Sequence, residues 1–419
     1  MRIAVVSKDG DSAPLALRLQ AEGHTVRLLI ESPKYARALD GLIPKLQKPQ
    51  EIEAFDPQLI VNLETSLSGK TEAWQRAGYP TIGGSQLACQ LEADRFGALE
   101  FAKETGILIP ATYPYLEGTK AIQRLRKEVT RLCCKFNEDG GDKFLSFLGK
   151  SNEDVVHFIE EKYDPAKHKG LILQEYIEGP LELNCEGWFS KGELIWPMNA
   201  GMEQKRFLSG DLGPNTGCMS TLTWPLGKSS LTPWTQGILK KLKELSYTGP
   251  LDMAFKLGKD GRFYFLEFTP RAGINAVFGL VDLLDQDLGE WLAEVEAGTA
   301  REMHLRKLYS FILTISVYPY PYEIPSVYLP GCEVHVPSLP SWANWWPFGV
   351  EEKGGKLITA PGYPIVGYIS VCDKDAGRAV DRTMVIAEQI EVSGKQYRND
   401  GRSLLEPLKR LKVMGVGNV

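Results

Sequence analysis

The stretch PLDMAFKLGKDGRFYFLEFT (250–269) reads as two apolar strands joined by a tight turn at Lys259-Asp260-Gly261. Asp252 interrupts the first strand and Glu267 the second, so the two carboxylates can stand side by side on neighbouring strands. Two acids turned toward a buried face repel each other and lose hydration, which is costly unless a cation lies between them. Mg²⁺ is held by one or two carboxylates together with phosphate oxygens and water. The hairpin is therefore a candidate site for a magnesium–nucleotide complex, with Mn²⁺ as the alternative ion. The competing reading turns one carboxylate to solvent or pairs it with Arg271.

Upstream lies EQKRFLSGDLGPNTGCMS (203–220), with Lys205 and Arg206 near its start, three glycines and a proline. That composition suits neither a core nor a regular strand, and it is expected to be a loop that holds a ligand.

Around these two stretches the chain alternates in pattern. RIAVV (2–6), HTVRLLI (24–30) and PQLIVNLE (57–64) are apolar runs separated by turn and helix signals. That alternation predicts a doubly wound parallel sheet, with candidate site loops at Ser7–Ser12 and Asn62–Ser68, beyond the carboxyl ends of its strands. One helix is expected from Gln86 to Thr105. A strand-rich middle follows (131–136, 171–177, 182–189, 193–199), with a helix near 233–245. Beyond Gly298 comes a Pro- and Trp-rich region with strands near 308–318 and 364–371 and a helix near 374–391. The fold class is thus α/β (α+β) in three parts, 1–106, 107–300 and 301–419.

The chain has 419 residues, is 43% hydrophobic and carries a formal charge of −5. Nucleic acid and anionic membrane need concentrated cations, so neither is expected as the main partner. No apolar run suits a signal peptide or a membrane span. Seven cysteines without metal-type spacing read as reduced thiols of a cytoplasmic protein.

The hairpin ends in Leu266-Glu267-Phe268-Thr269-Pro270-Arg271-Ala272-Gly273, which resembles the metal hairpin L-E-x-N/T-x-R-x-G of the ATP-grasp ligases. The resemblance implies that Asp252 and Glu267 hold Mg²⁺ on ATP. Thr269 stands where the family usually has Asn, a weaker further ligand. The 203–220 stretch resembles the signature H-K-R…D-G-D-x-G-P-N-T-G-G-M-G of the phosphoribosylamine–glycine ligases, with Gln204, Ser209, Cys218 and Ser220 as departures. The stretch 78–107 and the closing KQYRNDG (395–401) are also similar to that family.

By that resemblance Arg95 and Lys135 would contact the ATP phosphates. The segment Gln174, Glu175, Tyr176 and Ile177 would meet adenine, and Glu182 the ribose. Arg271 would hold an acyl phosphate, with Lys205, Arg206, Asp211, Asn215 and Thr216 at the acceptor end. The segment 138–147 stands in the place of a glycine-rich lid. The implied reaction converts the carboxylate of glycine or a small amino acid to an acyl phosphate, which an amine then displaces.

Departures fall on the acceptor side. The family's G-S-G-G-R-E-H-A-L becomes SKDGDSAPLAL, G-P-E-x-P-L-x-x-G becomes NLETSLSG, and R-F-G-D-P-E becomes RAGINA. The two aspartates of the first would repel a phosphate. The expectation is therefore a ligase of this family whose amine is phosphoribosylamine or another, nucleotide-linked or specialised amine. The alternative is a nucleotide-binding protein without catalysis. A monomer or homodimer is expected.

Overall fold

The computed structural model describes residues 1–137, 146–179, 181–227 and 235–419. Most of the segment expected as a lid (138–147) lies outside the described residues; only Ser146 and Phe147 fall within them.

Four parallel strands, β1 (Arg2–Ser7), β2 (Thr25–Ile30), β3 (Leu59–Asn62) and β4 (Thr81–Ile82), form a sheet in the order β2-β1-β3-β4. Their apolar runs are buried because helices cover the sheet. β1 and β3 are neighbours, with Val6 opposite Asn62, so the two expected site loops leave the sheet together. The helix expected over 86–105 is two helices, Gln86–Ala93 and Arg95–Glu104. Asp94 ends the first and caps the second, accepting from the Gly97 amide at 3.1 Å. That break puts Arg95 at the start of a helix rather than in its middle.

A small antiparallel sheet follows: β5 (Thr112–Tyr115), β6 (Leu132–Phe136), β7 (Ser146–Phe147) and β8 (Leu171–Glu175), in the order β5-β8-β6-β7. The helices Gly118–Leu125 and Asn152–Lys162 bury their apolar stripes on it, around Phe136, Val155 and Ile159.

The largest sheet takes β9 (Leu181–Ser190), β10 (Glu193–Leu208), β11 (Leu212–Leu226), β12 (Gly249–Leu257), β13 (Phe263–Thr269), β14 (Tyr309–Val317), β15 (Ala343–Pro347) and, after the small hairpin β16 (Val350–Lys353) and β17 (Lys356–Thr359), β18 (Ile365–Asp373). The order β13-β12-β9-β10-β11-β14-β18-β15 runs from the acidic hairpin into the third region without a break, and β19 (Lys395–Gln396) pairs with β14.

This sheet overturns the loop reading of 203–220. The stretch belongs to the arms and tip of the β10–β11 hairpin, with Gln204 opposite Ser220, Arg206 opposite Asn215 and Leu208 opposite Leu212. The register slips twice between them, and Asp211 and Gly213 sit at φ +56° and +75°, so glycine and turn chemistry are needed inside a paired hairpin. The two arms pair with each other, and Arg398 and Asp400 brace the tip through Asp211, the Arg206 carbonyl and the Gly210 amide.

Candidate active site

Antiparallel pairing sets the site. On β12, Asp252 faces Thr269 of β13 and Glu186 of β9, while Ala254 faces Glu267 and Asn184. Asp252 and Glu267 therefore share a face but lie diagonally rather than directly opposite. Glu182, Asn184 and Glu186 fall on that same face by alternation along β9, and Lys256 stands opposite Glu182.

Burial makes these charges interact strongly. Asp252 is 6% exposed and its Oδ1 has no hydrogen-bond partner among the described residues. Burial, then the charges of Glu186 and Glu203, raise its pKa well above the ordinary carboxylate value. Glu186 is 2% exposed and pushed up to about 7, chiefly by burial. It accepts from Trp188 Nε1 at 2.9 Å and from the Gly273 amide at 3.1 Å. Glu267 goes the other way. Burial opposes its ionisation, yet Lys135, Lys205, Arg95 and Arg271 together outweigh it and hold the carboxyl below its usual range. Glu182 is lowered in the same manner by Lys205 and Lys256, whose Nζ atoms lie 3.5 and 3.7 Å away.

The donor set fits Mg²⁺ or a similar hard cation: carboxylate oxygens on one sheet face, one of them buried and unpartnered, with the Thr269 hydroxyl position opposite Asp252. Another carboxylate–histidine group, Glu22, His24 and Asp287, is explained without a metal. His24 bonds Asp287 at 2.9 Å and the Met1 amine at 3.1 Å, while Glu22 accepts from Arg18 and from the Leu288 amide.

Two cations act on this face from other elements, Lys135 from β6 and Arg95 from the start of its helix. Arg95 Nη1 donates to Ser146 Oγ at 2.8 Å, and Ser146 pairs with Lys135 across β6–β7, so Arg95 and Lys135 are drawn together. At the expected adenine segment, Gln174 is buried and donates to Thr112. The Glu175 and Tyr176 amides donate to the Ala111 and Arg131 carbonyls at 2.8 and 2.9 Å. Those two donors are thus occupied; the Ile177 amide has no acceptor among the described residues. The Arg131 guanidinium stacks 3.7 Å above the Tyr176 ring.

Arg271 does not pair with either hairpin acid. Its Nε and Nη2 reach Glu92 Oε1 at 3.2 and 3.1 Å, and Glu92 Oε2 accepts from Thr65. The ion pair ties the acidic hairpin to the loop after β3.

The β10–β11 tip is divided. Lys205 lies within 3.5 Å of both Glu182 and Glu203, and Thr216 Oγ1 donates to the Lys205 carbonyl. Arg206 donates to the Gly213 carbonyl, while Asp211 and Asn215 are exposed. Asp211 instead pairs with Arg398 at 2.8 Å. Arg398, itself 1% exposed, also grips Asp400 and donates to the Arg206 carbonyl. The two similar stretches, 203–220 and 395–401, therefore meet in space.

Glu186 and Glu203 were not anticipated. The i, i+2, i+4 spacing of Glu182, Asn184 and Glu186 on an otherwise apolar strand was the available signal. A cleft of about 440 Å³ lined by Tyr79, Ser85, Lys191 and Tyr247 contains none of these residues.

No family model matches the chain. A phosphoribosylamine–glycine ligase of Lactococcus lactis is 24% identical over 422 residues, covering 96% of this chain and 98% of that one. The crystal structure of phosphoribosylamine–glycine ligase from Thermotoga maritima superposes with a TM-score of 0.77 at 19% identity, covering 96% of this chain and all of that one. The chain is thus similar over nearly its whole length, in sequence and in fold, to phosphoribosylamine–glycine ligases. A biotin carboxylase domain of Hydrogenobacter thermophilus 2-oxoglutarate carboxylase, solved with MgADP, shares the ATP-grasp fold at a TM-score of 0.70 and 17% identity, covering 94% of this chain and 91% of that one. The relatives that it matches in sequence are named as ligases. No helix among the described residues is long and apolar enough to cross a membrane.

Proposed function

We propose that the protein activates the carboxylate of glycine or another small amino acid with Mg·ATP and joins it to an amine, releasing ADP and phosphate, in the cytoplasm. The observation that carries this reading is the buried, unpartnered Asp252 Oδ1 beside a Glu267 kept ionised by four cations. That pair has the chemistry of a divalent-cation seat against a polyphosphate.

Asp252 and Glu267 would hold the ion, with Thr269 as a weaker donor. The bound ion would neutralise charge on the transferring phosphoryl group. Arg95 and Lys135 would take phosphate oxygens, the Ile177 amide an adenine nitrogen, and Glu182 the ribose. Arg271, anchored by Glu92, would orient the acyl phosphate. Lys205, braced through Thr216, would face the reacting groups. Arg206, Asp211 and Asn215 would keep the shape of the hairpin tip. The protein's contribution is alignment and charge neutralisation, with no covalent intermediate on a side chain.

Hydroxylamine tests the first half of the reaction whatever the natural acceptor. With ATP, Mg²⁺ and glycine or a small amino acid it should trap the acyl phosphate as a hydroxamate, with one ADP released for each. A protein that binds ATP yet forms neither hydroxamate nor ADP with any amino acid would be a nucleotide-binding relative without catalysis.

A second reading, the same chemistry with an amine other than phosphoribosylamine, is favoured by the acidic loops after β1 and β3, where Asp9, Asp11 and Glu64 cluster electrostatically.

A further inference from the structure

On the reading of the protein as a carboxylate–amine ligase, we propose that the acceptor is a diamine, an amine bearing a second, cationic group, and that Asp11 with Tyr363 and Tyr368 forms the pocket for that second charge.

The pocket lies where two loops of the first sheet meet the third region. The loop after β1 carries Asp9 and Asp11, and the loop after β2 carries Tyr35. From the third region come Tyr320, shortly after β14, Tyr363, shortly before β18, and Tyr368 within it. Ring contacts join them. The centroids of Tyr35 and Tyr363 are 4.8 Å apart, and Phe348 meets Tyr363 edge-on at 4.9 Å and Tyr368 at 5.6 Å. Phe278 lies 4.9 Å from Tyr368. At Gly362 (φ +104°) a Cβ would fall 2.2 Å from the Lys34 carbonyl oxygen, so the loop before β18 is seated directly on the loop after β2.

The hydroxyls differ in their use. Tyr35 donates to Glu323 Oε2 at 2.7 Å, and Tyr320 hydrogen-bonds to Thr216. The Tyr363 and Tyr368 hydroxyls have no hydrogen-bond partner among the described residues, although Tyr368 is only 1% exposed. An unpaired buried hydroxyl is costly. Both phenols have raised pKa values, first through burial and next through the charge of Asp11, and Tyr320 acts on both as well. Thr216 links Tyr320 to the Lys205 carbonyl, and Asp11 acts also on Arg271, so the pocket borders the residues assigned to the acyl phosphate and the acceptor.

Charge selects the ligand. Aligned from Ser7 without a gap, so that Gly10 and Leu15 match, Asp11 stands at the Arg of G-S-G-G-R-E-H-A-L. Asp9 adds a second carboxylate, Arg271 is engaged by Glu92, and Lys8 is exposed. A phosphate or carboxylate meets repulsion here. The nitrogen that displaces phosphate has to be uncharged when it attacks. The cation that suits this pocket is therefore another group of the same acceptor. Phenol oxygens accept its N–H bonds, and Asp11 balances its charge.

Titration calorimetry of the full chain with 1,4-diaminobutane, butylamine and ribose 5-phosphate tests this. The diamine should bind at least about tenfold more tightly than butylamine, and ribose 5-phosphate should not saturate at millimolar concentration. Asp11→Asn should lose about tenfold in diamine affinity. Tyr368→Phe, which removes one hydroxyl and keeps the ring packing, should lose about threefold. Absent diamine binding, equal binding of diamine and monoamine, or saturable binding of the sugar phosphate overturns the proposal. So does an unchanged diamine affinity in either folded variant. The titration is independent of turnover, whereas failure of the ligase reading appears separately as absence of hydroxamate.

Discussion

Asp252 and Glu186 stand directly opposite each other on neighbouring antiparallel strands, both carboxylates buried and both with pKa values raised. Such a pair destabilises the fold unless a cation or a proton relieves it. Asp252→Asn should therefore split stability from activity. Unfolding free energy without metal at neutral pH is expected to rise by about 1–2 kcal/mol, because the amide, unlike the buried carboxyl, need not take up a proton on folding. ADP release should fall by about a thousandfold. Thermal unfolding with and without Mg²⁺, beside an ADP assay, checks both, and the Mg²⁺-dependent gain in Tm should disappear in the variant.

The Arg271–Glu92 pair predicts a different signature. Glu92→Gln keeps a hydrogen-bond acceptor but loosens the guanidinium, so stability should change by less than about 1 kcal/mol for this partly exposed pair. Misplacing the acyl-phosphate cation should lower kcat by about tenfold with little change in the KM for ATP. A steady-state comparison at saturating amino acid reads this.

Arg398 is a buried cation gripping two carboxylates and a carbonyl. Arg398→Ala should cost about 2–4 kcal/mol, because Asp400 and the Arg206 carbonyl lose their partner. Denaturant unfolding measures the loss. Arg398→Lys should recover only part of it, since lysine cannot reproduce the forked contact to Asp400.

Asp282 gives a pH dependence away from the site. It is 2% exposed, and burial pushes its carboxyl up to about 6, although Ser370 and Asn344 hydrogen-bond to it. Between pH 4 and 6 the unfolded chain ionises at this position while the folded chain keeps its proton. Stability should therefore fall as pH rises through that window and then level off, by about 2–3 kcal/mol for a shift of this size. Asp282→Asn should flatten that part of the curve and raise Tm at pH 7 relative to the wild type.

How much of this was legible depended on which interaction set each element. Asp252, Glu267 and the parallel sheet followed from strand alternation, which burial dictates directly. The helix break at Asp94 was hidden because an aspartate within a helical pattern caps only when the chain bends there. The 203–220 hairpin was misread because its glycines and proline advertise a turn, while its order comes from pairing between its own arms and from Arg398 and Asp400, about 190 positions away. Glu186 was overlooked because one acid in an apolar strand signals little until pairing places it against Asp252. The tie between Arg271 and Glu92 spans 179 positions and rests on tertiary packing alone.

The unbroken run of strands from β13 to β15 has a practical corollary for dissecting the chain. β14 pairs with β11 through Ser310–Leu313, Trp224 Nε1 donates to the Val416 carbonyl, and the Tyr309 hydroxyl donates to that of Gly417. A fragment ending near residue 300 would leave β11 with an unpaired hydrogen-bonding edge, prone to self-association. Its counterpart would carry the matching edge, so the two pieces should fail when expressed singly and recombine when produced together.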